Sequence, residues 1–157
     1  MTYGSHDNDE KCKEAAIKFL REEYGYNLIP TDDEFNNLDG LIQYHGKNYG
    51  IEFKGVSVYR YNKYDDVMVE KLKYDYSIGE GKEASGLCHS YFITMTEFDD
   101  RWESYIVNFK QCEGREIRTI KVPESSSPEA KYIWKEFYSI PRKEAKHIII
   151  SKKNNRQ

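Results

Sequence analysis

Between Leu38 and Lys54 the chain alternates apolar and polar residues so regularly that it constrains everything packed around it. In a strand successive side chains point to opposite faces, so residues two apart share a side. Sorted in this way, Leu38, Ile42 and Tyr44 fall with Tyr49, Ile51 and Phe53 on one apolar face. Asp39, Leu41 and Gln43 fall with Glu52, Lys54, Val56 and Val58 on the other. The pattern reads as a β-hairpin with its turn centred on Gly46-Lys47. That turn pairs Tyr44 with Tyr49, sets Asp39 opposite Lys54 and makes Glu52 the diagonal neighbour of Asp39. Burying the apolar face then sends Asp39, Glu52 and Lys54 to the same side.

Diagonal cross-strand neighbours lie roughly 7 to 8 Å apart at the backbone, within reach of one shared cation. Two carboxylates that close repel, which implies a raised pKa or a bound ion. A hard cation such as Mg²⁺ binds through one or two carboxylates and keeps several waters. A lysine beside them can orient a water or neutralise a phosphate. The plainer alternative is a solvated strand face on which the same charges form salt bridges.

At 157 residues the chain is read as a single domain, 1–157, long enough for a hydrophobic core. Charged residues make up 32% and mean hydropathy is -0.87, and no run approaches the roughly 20 apolar residues of a membrane helix. Cys12, Cys88 and Cys112 are odd in number and widely spaced, with no zinc-type spacing, which suits a reducing, cytoplasmic setting. The net charge of -3 is unevenly spread. Residues 1–100 carry 11 Lys/Arg against 20 Asp/Glu, and residues 101–157 carry 13 against 7. The C-terminal third can therefore offer a phosphate-binding surface, or simply a solvated tail at Lys152 to Gln157.

In chain order, Asp9 caps a helix to about Glu23 with Cys12, Ala16, Phe19 and Leu20 on one face, stopped by Gly25. The acidic run Asp32-Asp33-Glu34 belongs to a connection before the hairpin. The hairpin's second strand continues to about Tyr59, and a turn from Tyr59 to Tyr64 interleaves aromatics with cations, a pattern suited to stacking on bases or to a hydrophobic rim. Asp65 then caps a helix to about Ile78 that buries Met68, Leu72 and Tyr76. Gly79 to Gly86 reads as a loop, Ser90–Phe98 and Trp102–Phe109 as a second hairpin, and Glu116–Val122 as a further strand. Ser127-Pro128-Glu129 starts a helix ended by Pro141, and His147–Ile150 closes the chain as a strand. The four histidines have no metal or nucleophile spacing, and phosphate-loop, dinucleotide and nucleophile-elbow motifs are missing from the sequence.

A helix, a hairpin bearing Asp39 and then Glu52-Phe53-Lys54, a helix and further strands together resemble the PD-(D/E)xK nucleases, the restriction-endonuclease-like superfamily, nearest in layout to Holliday-junction-resolvase-type members. The resemblance covers about residues 10–110, leaves 111–157 as a C-terminal extension, and has Leu38 where the family motif has proline. It implies an α/β (α+β) fold, a central mixed β-sheet flanked by helices with an αβββαβ core and C-terminal helix and strand additions. It also implies Mg²⁺ (or Mn²⁺) held by Asp39, Glu52 and the backbone carbonyl of Phe53, with Lys54 positioning the attacking water. Many members add a glutamate from the first helix, where Glu14 falls, although Glu14 lies away from the apolar face and Glu10 is a weaker rival. Lys71, Lys73 and Arg60 are the cations placed to contact nucleic acid, the lysines being otherwise solvated.

The expected function is therefore metal-dependent hydrolysis of DNA phosphodiester bonds, on double-stranded or branched substrate. A homodimer or larger assembly is implied by resemblance alone, and a membrane is not expected as a partner. The alternative is a catalytically inactive nuclease-like fold serving as a structural or nucleic-acid-binding module; the acidic front of the chain favours it. An RNA-directed or toxin-type nuclease ranks third.

Overall fold

The computed structural model describes residues 6–30, 38–78, 87–123 and 129–152. The chain runs α1 (His6–Tyr24), β1 (Ile29–Pro30), β2 (Gly40–Tyr44), β3 (Lys47–Gly55), α2 (Val58–Lys63), β4 (Asp66–Glu70) and α3 (Lys71–Ile78). It continues through β5 (Leu87–Glu97), β6 (Arg101–Asn108), a 3-10 turn (Phe109–Cys112), β7 (Ile117–Pro123), β8 (Tyr132–Pro141), a second 3-10 turn (Arg142–Glu144) and β9 (Lys146–Ser151). This is a mixed α+β architecture with two sheets. The larger has the order β1-β2-β3-β5-β6-β9, antiparallel throughout except that β3 and β5 run parallel. The smaller, β4-β8-β7, is wholly antiparallel.

Helix α1 buries Cys12, Ala16 and Leu20 at fourfold spacing against Ile42, Ile51, Phe53, Ile93, Met95 and Trp102 of the larger sheet. It ends as the sequence suggests. Gly25 takes φ 71, its N–H donates to the Arg21 carbonyl at 3.0 Å, as in an αL cap, and the Tyr26 N–H donates to the Leu20 carbonyl at 3.1 Å. A Cβ on Gly55 would lie 2.8 Å from Asp9 Oδ1 and 3.2 Å from Cys12 Sγ, so the glycine lets α1 sit close over the end of β3.

The opposite face of the larger sheet carries Phe92, Tyr105 and Val107, which pack with Val67, Val69, Tyr138 and Ile140 of the smaller sheet and with Phe109 and Cys112. The layers are thus helix, six-stranded sheet and three-stranded sheet. Alternation along β3 and β5 decides which side chain enters which layer: Ile51, Phe53, Ile93 and Met95 go to the helix, and Glu52, Lys54, Phe92 and Thr94 to the other side.

The first hairpin forms, but two residues tighter than expected. Tyr44 pairs with Lys47 and Ile42 with Tyr49, because the turn is His45-Gly46, with φ 51 and φ 76. Two successive positive-φ residues make the twist-matched two-residue hairpin turn. Leu38 does not join the Ile42 face; it packs with Leu41 in a small separate cluster, and Tyr44 is exposed.

Two expected helices are corrected. The segment from Asp65 to Ile78 divides into strand β4 and the shorter α3, and α2, capped by the Ser57 hydroxyl accepting from the Arg60 N–H at 3.2 Å, replaces the end of the extended strand. The segment after Pro128 is strand β8, so the C-terminal addition contains no long helix among the described residues. Tyr132-Ile133-Trp134, Phe137-Tyr138 and Ile140 are β-branched or aromatic, and in the middle of a sheet that preference outweighs the Ser-Pro start signal. The second hairpin (β5 and β6), β7 and β9 form where expected, within one or two residues except that β5 starts at Leu87. The loop at 79–86 lies outside the described residues.

If β8 is the central strand of the smaller sheet, Ile140→Ala should cost about 2–5 kcal/mol in urea unfolding, because Ile140 is fully buried. Trp134→Ala, on the exposed part of the same strand, should cost under about 0.5 kcal/mol. Equal losses would contradict the assignment.

Candidate functional site: a carboxylate pair at the start of the first hairpin

Three features of the fold bring Asp39 and Glu52 together. Asp39 immediately precedes β2, its N–H donates to the Ile51 carbonyl at 2.9 Å, and its Oδ2 accepts from the Phe53 N–H at 2.7 Å. The residue is thereby tied to β3 on either side of Glu52, by its backbone at Ile51 and its side chain at Phe53. Within a strand a residue's N–H and carbonyl point the same way, so the Phe53 carbonyl also faces the Asp39 side, where β2 has ended.

Glu52 is 8% exposed, on the sheet face away from α1. Burial pushes its carboxyl up, the neighbouring Asp39 charge pushes it further, and Lys73 opposes both; the outcome is a pKa of about 8. Lys73, from α3, approaches Glu52 Oε2 at 3.3 Å, and Lys13, from α1, approaches Asp39 Oδ1 at 3.2 Å. Each acid therefore has its own lysine, delivered by a different helix.

Lys54 shares the Glu52 face of β3 and is exposed. Among the described residues it makes no ion pair. Register places it beside Thr94, at the edge of a cleft bounded by α2 and the smaller sheet. Arg60 lines the same cleft. Lys71 instead pairs with Asp75 at 2.8 Å, one helical turn along. Glu14 is exposed on α1, and the α1 residue that meets the pair is Lys13.

Sequence reasoning missed Lys13. The helical wheel shows which residues face the sheet, but not which flanking lysine reaches past its end. It also missed a second buried carboxylate on the same sheet face, Glu103. Tyr61 Oη at 2.7 Å and Arg101 Nε at 2.6 Å donate to it, and His147 Nε2 lies 2.7 Å away. Burial pushes Glu103 up, yet bonds from Tyr61, Arg101 and His147 outweigh it and hold the carboxyl below its ordinary value. The two glutamates contrast in kind: Glu103 is neutralised by three partners, whereas Glu52 is buried against another acid.

Among the described residues no group of three or more His, Cys, Asp or Glu side chains forms a cation cage. What converges is a pair of carboxylates, oxygen donors of the sort a hydrated hard cation accepts. Cys12 and Cys112 are buried, and burial raises their thiols to about 11 and about 12, which keeps them unreactive. No described helix is long and apolar enough to cross a membrane.

Between about pH 4.5 and 8 folded Glu52 holds a proton that the unfolded chain has released, so its contribution to stability is lost as pH rises through that window. Glu52→Gln should remove the slope. Urea midpoints of variant and parent should agree near the acid end and separate in the variant's favour at the alkaline end; parallel pH profiles would contradict it.

Searches against protein-family models and against curated proteins found no match for the chain.

Proposed function

We propose that the protein is a metal-dependent nuclease that hydrolyses phosphodiester bonds, with Asp39 and Glu52 holding Mg²⁺ or Mn²⁺ and Lys54 positioning the attacking water. One observation carries this reading: a buried glutamate is held against a second carboxylate, with an exposed lysine next along the same strand face. That arrangement costs stability in an isolated fold, and a divalent cation would offset it. The resemblance of Asp39 and Glu52-Phe53-Lys54 to the PD-(D/E)xK motif points the same way, with DNA as substrate.

When bound, the cation would offset charge on the attacking and leaving oxygens of an in-line displacement. Asp39, fixed by the Phe53 N–H, is pre-oriented for this role and needs no rearrangement of its backbone. Glu52 lies against it on β3. Lys54 can hold a water by hydrogen bonding and steady the phosphate charge. Lys13 and Lys73 lie against the two acids, and a lysine released from its carboxylate has an ammonium available to a phosphate oxygen.

A second reading has its own observation. Lys13 and Lys73 already engage Asp39 and Glu52, as suits a nuclease-like fold kept as a structural or nucleic-acid-binding module. The two readings separate on catalysis. Asp39→Ala, Glu52→Gln and Lys54→Ala should each lower Mg²⁺-dependent cleavage by about a hundredfold or more while melting as folded proteins, and EDTA should stop the parent. Plasmid, single-stranded and branched DNA should all be assayed. Cleavage retained by all three variants removes the nuclease reading, and a parent that neither cuts nor binds Mg²⁺ or Mn²⁺ selects the module.

A further inference from the structure

Directly beyond Lys54 the larger sheet, α2 and the smaller sheet enclose a cleft of about 210 Å³ that the motif residues do not explain. Its described walls carry the cations Lys54, Arg60, Lys63, Lys121 and Arg142 against a single carboxylate, Asp66. Asp66 is itself engaged by the Ser139 hydroxyl. A chain with net charge -3 thus concentrates positive charge at one concavity, and draws it both from its acidic front and from its basic last third.

The same walls are aromatic. Tyr59, Tyr61, Tyr64, Tyr105 and Tyr132 line the cleft, and cations already lie over several of the rings. The Lys63 ammonium is 5.7 Å from the Tyr59 centroid and 5.5 Å from that of Tyr64, and the Arg142 guanidinium is 4.1 Å from the Tyr61 centroid. Tyr132 is exposed at the rim. Ring faces and guanidinium planes that stack with one another also stack with a nucleobase, while neighbouring ammonium groups take its phosphate. Volume narrows the ligand further: the cleft falls below the roughly 300 Å³ where pockets for drug-sized ligands begin. A space of that size suits one flat unit better than a paired strand.

We propose that this cleft is a nucleotide subsite that takes one unpaired nucleotide of a DNA or RNA strand, its base among the tyrosines and its phosphate on Lys54 and Lys63. The inference rests on the nuclease reading for its adjacency to Asp39 and Glu52. It narrows the substrate to a strand with an unpaired nucleotide next to the scissile bond. Lys54 belongs to both sites, since it follows Glu52 on the same face and lines the cleft.

The test is fluorescence anisotropy of the full chain with short labelled single-stranded DNA, single-stranded RNA and a blunt duplex of the same sequence, in EDTA so that binding is read without cutting. At least one single strand should bind about tenfold or more tighter than the duplex. Tyr64→Ala and Lys63→Gln should each weaken that binding several-fold to tenfold, in line with the loss of one stacked base or one phosphate contact. Tyr64→Phe should retain it, and Trp134→Ala, outside the cleft, should leave it unchanged. If Tyr64→Ala fails to fold by circular dichroism, Lys63→Gln and Tyr64→Phe still decide. Equal or tighter duplex binding, unchanged binding in Lys63→Gln, or loss confined to Trp134→Ala overturns the subsite. Single-strand binding through the cleft without any metal-dependent cutting would keep the subsite and sink the nuclease reading; cutting with duplex preference would do the reverse.

Discussion

Burying Glu52 beside Asp39 is the most demanding carboxylate arrangement among the described residues, and the elements around it can be understood by what they contribute to that spot. Strand β3 is central, hydrogen-bonded to β2 on one side and β5 on the other, so the glutamate cannot swing out to solvent without disturbing both ladders. Helix α1 covers the reverse face and supplies Lys13; α3 covers the near face and supplies Lys73. A buried acid next to another acid is destabilising unless something offsets it. Two lysines do so in part, and the carboxyl still sits near pH 8.

Glu103 shows what the same sheet face does with a carboxylate that is simply structural. Tyrosine, arginine and histidine surround it, and its affinity for a proton falls. Neither glutamate is more buried by accident of position, since both face the smaller sheet's side. The difference lies in the neighbours, and it is the reason Glu52 is read as a site and Glu103 as part of the scaffold.

The first hairpin was legible in the sequence because face sorting survives an even slip. The register is two residues from the one expected, yet a shift of two keeps the paired residues of β2 and β3 on their own faces, although Leu38, just before β2, leaves the Ile42 face; Glu52 and Lys54 stay on one side, with Asp39 against Glu52. Turn chemistry was harder to read. His45 takes a positive φ that only a few residue types tolerate, and nothing beside it flags the choice. The helices misread at Asp65 and Ser127 share one cause: local capping signals were weighed above β-branched and aromatic content whose partners lie far along the chain, such as Val67 opposite Ile140. The Tyr59–Tyr64 pattern was read as suited to stacking on bases, but Lys13 and the enclosure of those tyrosines in a cleft were illegible for a related reason. Both depend on how α1, α2 and the second sheet dock, and pattern within one element does not encode docking.

The central claim is that Asp39 and Glu52 form one divalent-cation site. Calorimetric titration of Mn²⁺ into the metal-free protein tests it most directly. One site per chain is expected, lost in both Asp39→Asn and Glu52→Gln and kept in Lys71→Gln, whose lysine pairs elsewhere. Absence of Mn²⁺ binding to the parent, or binding that survives in both carboxylate variants, would contradict the account.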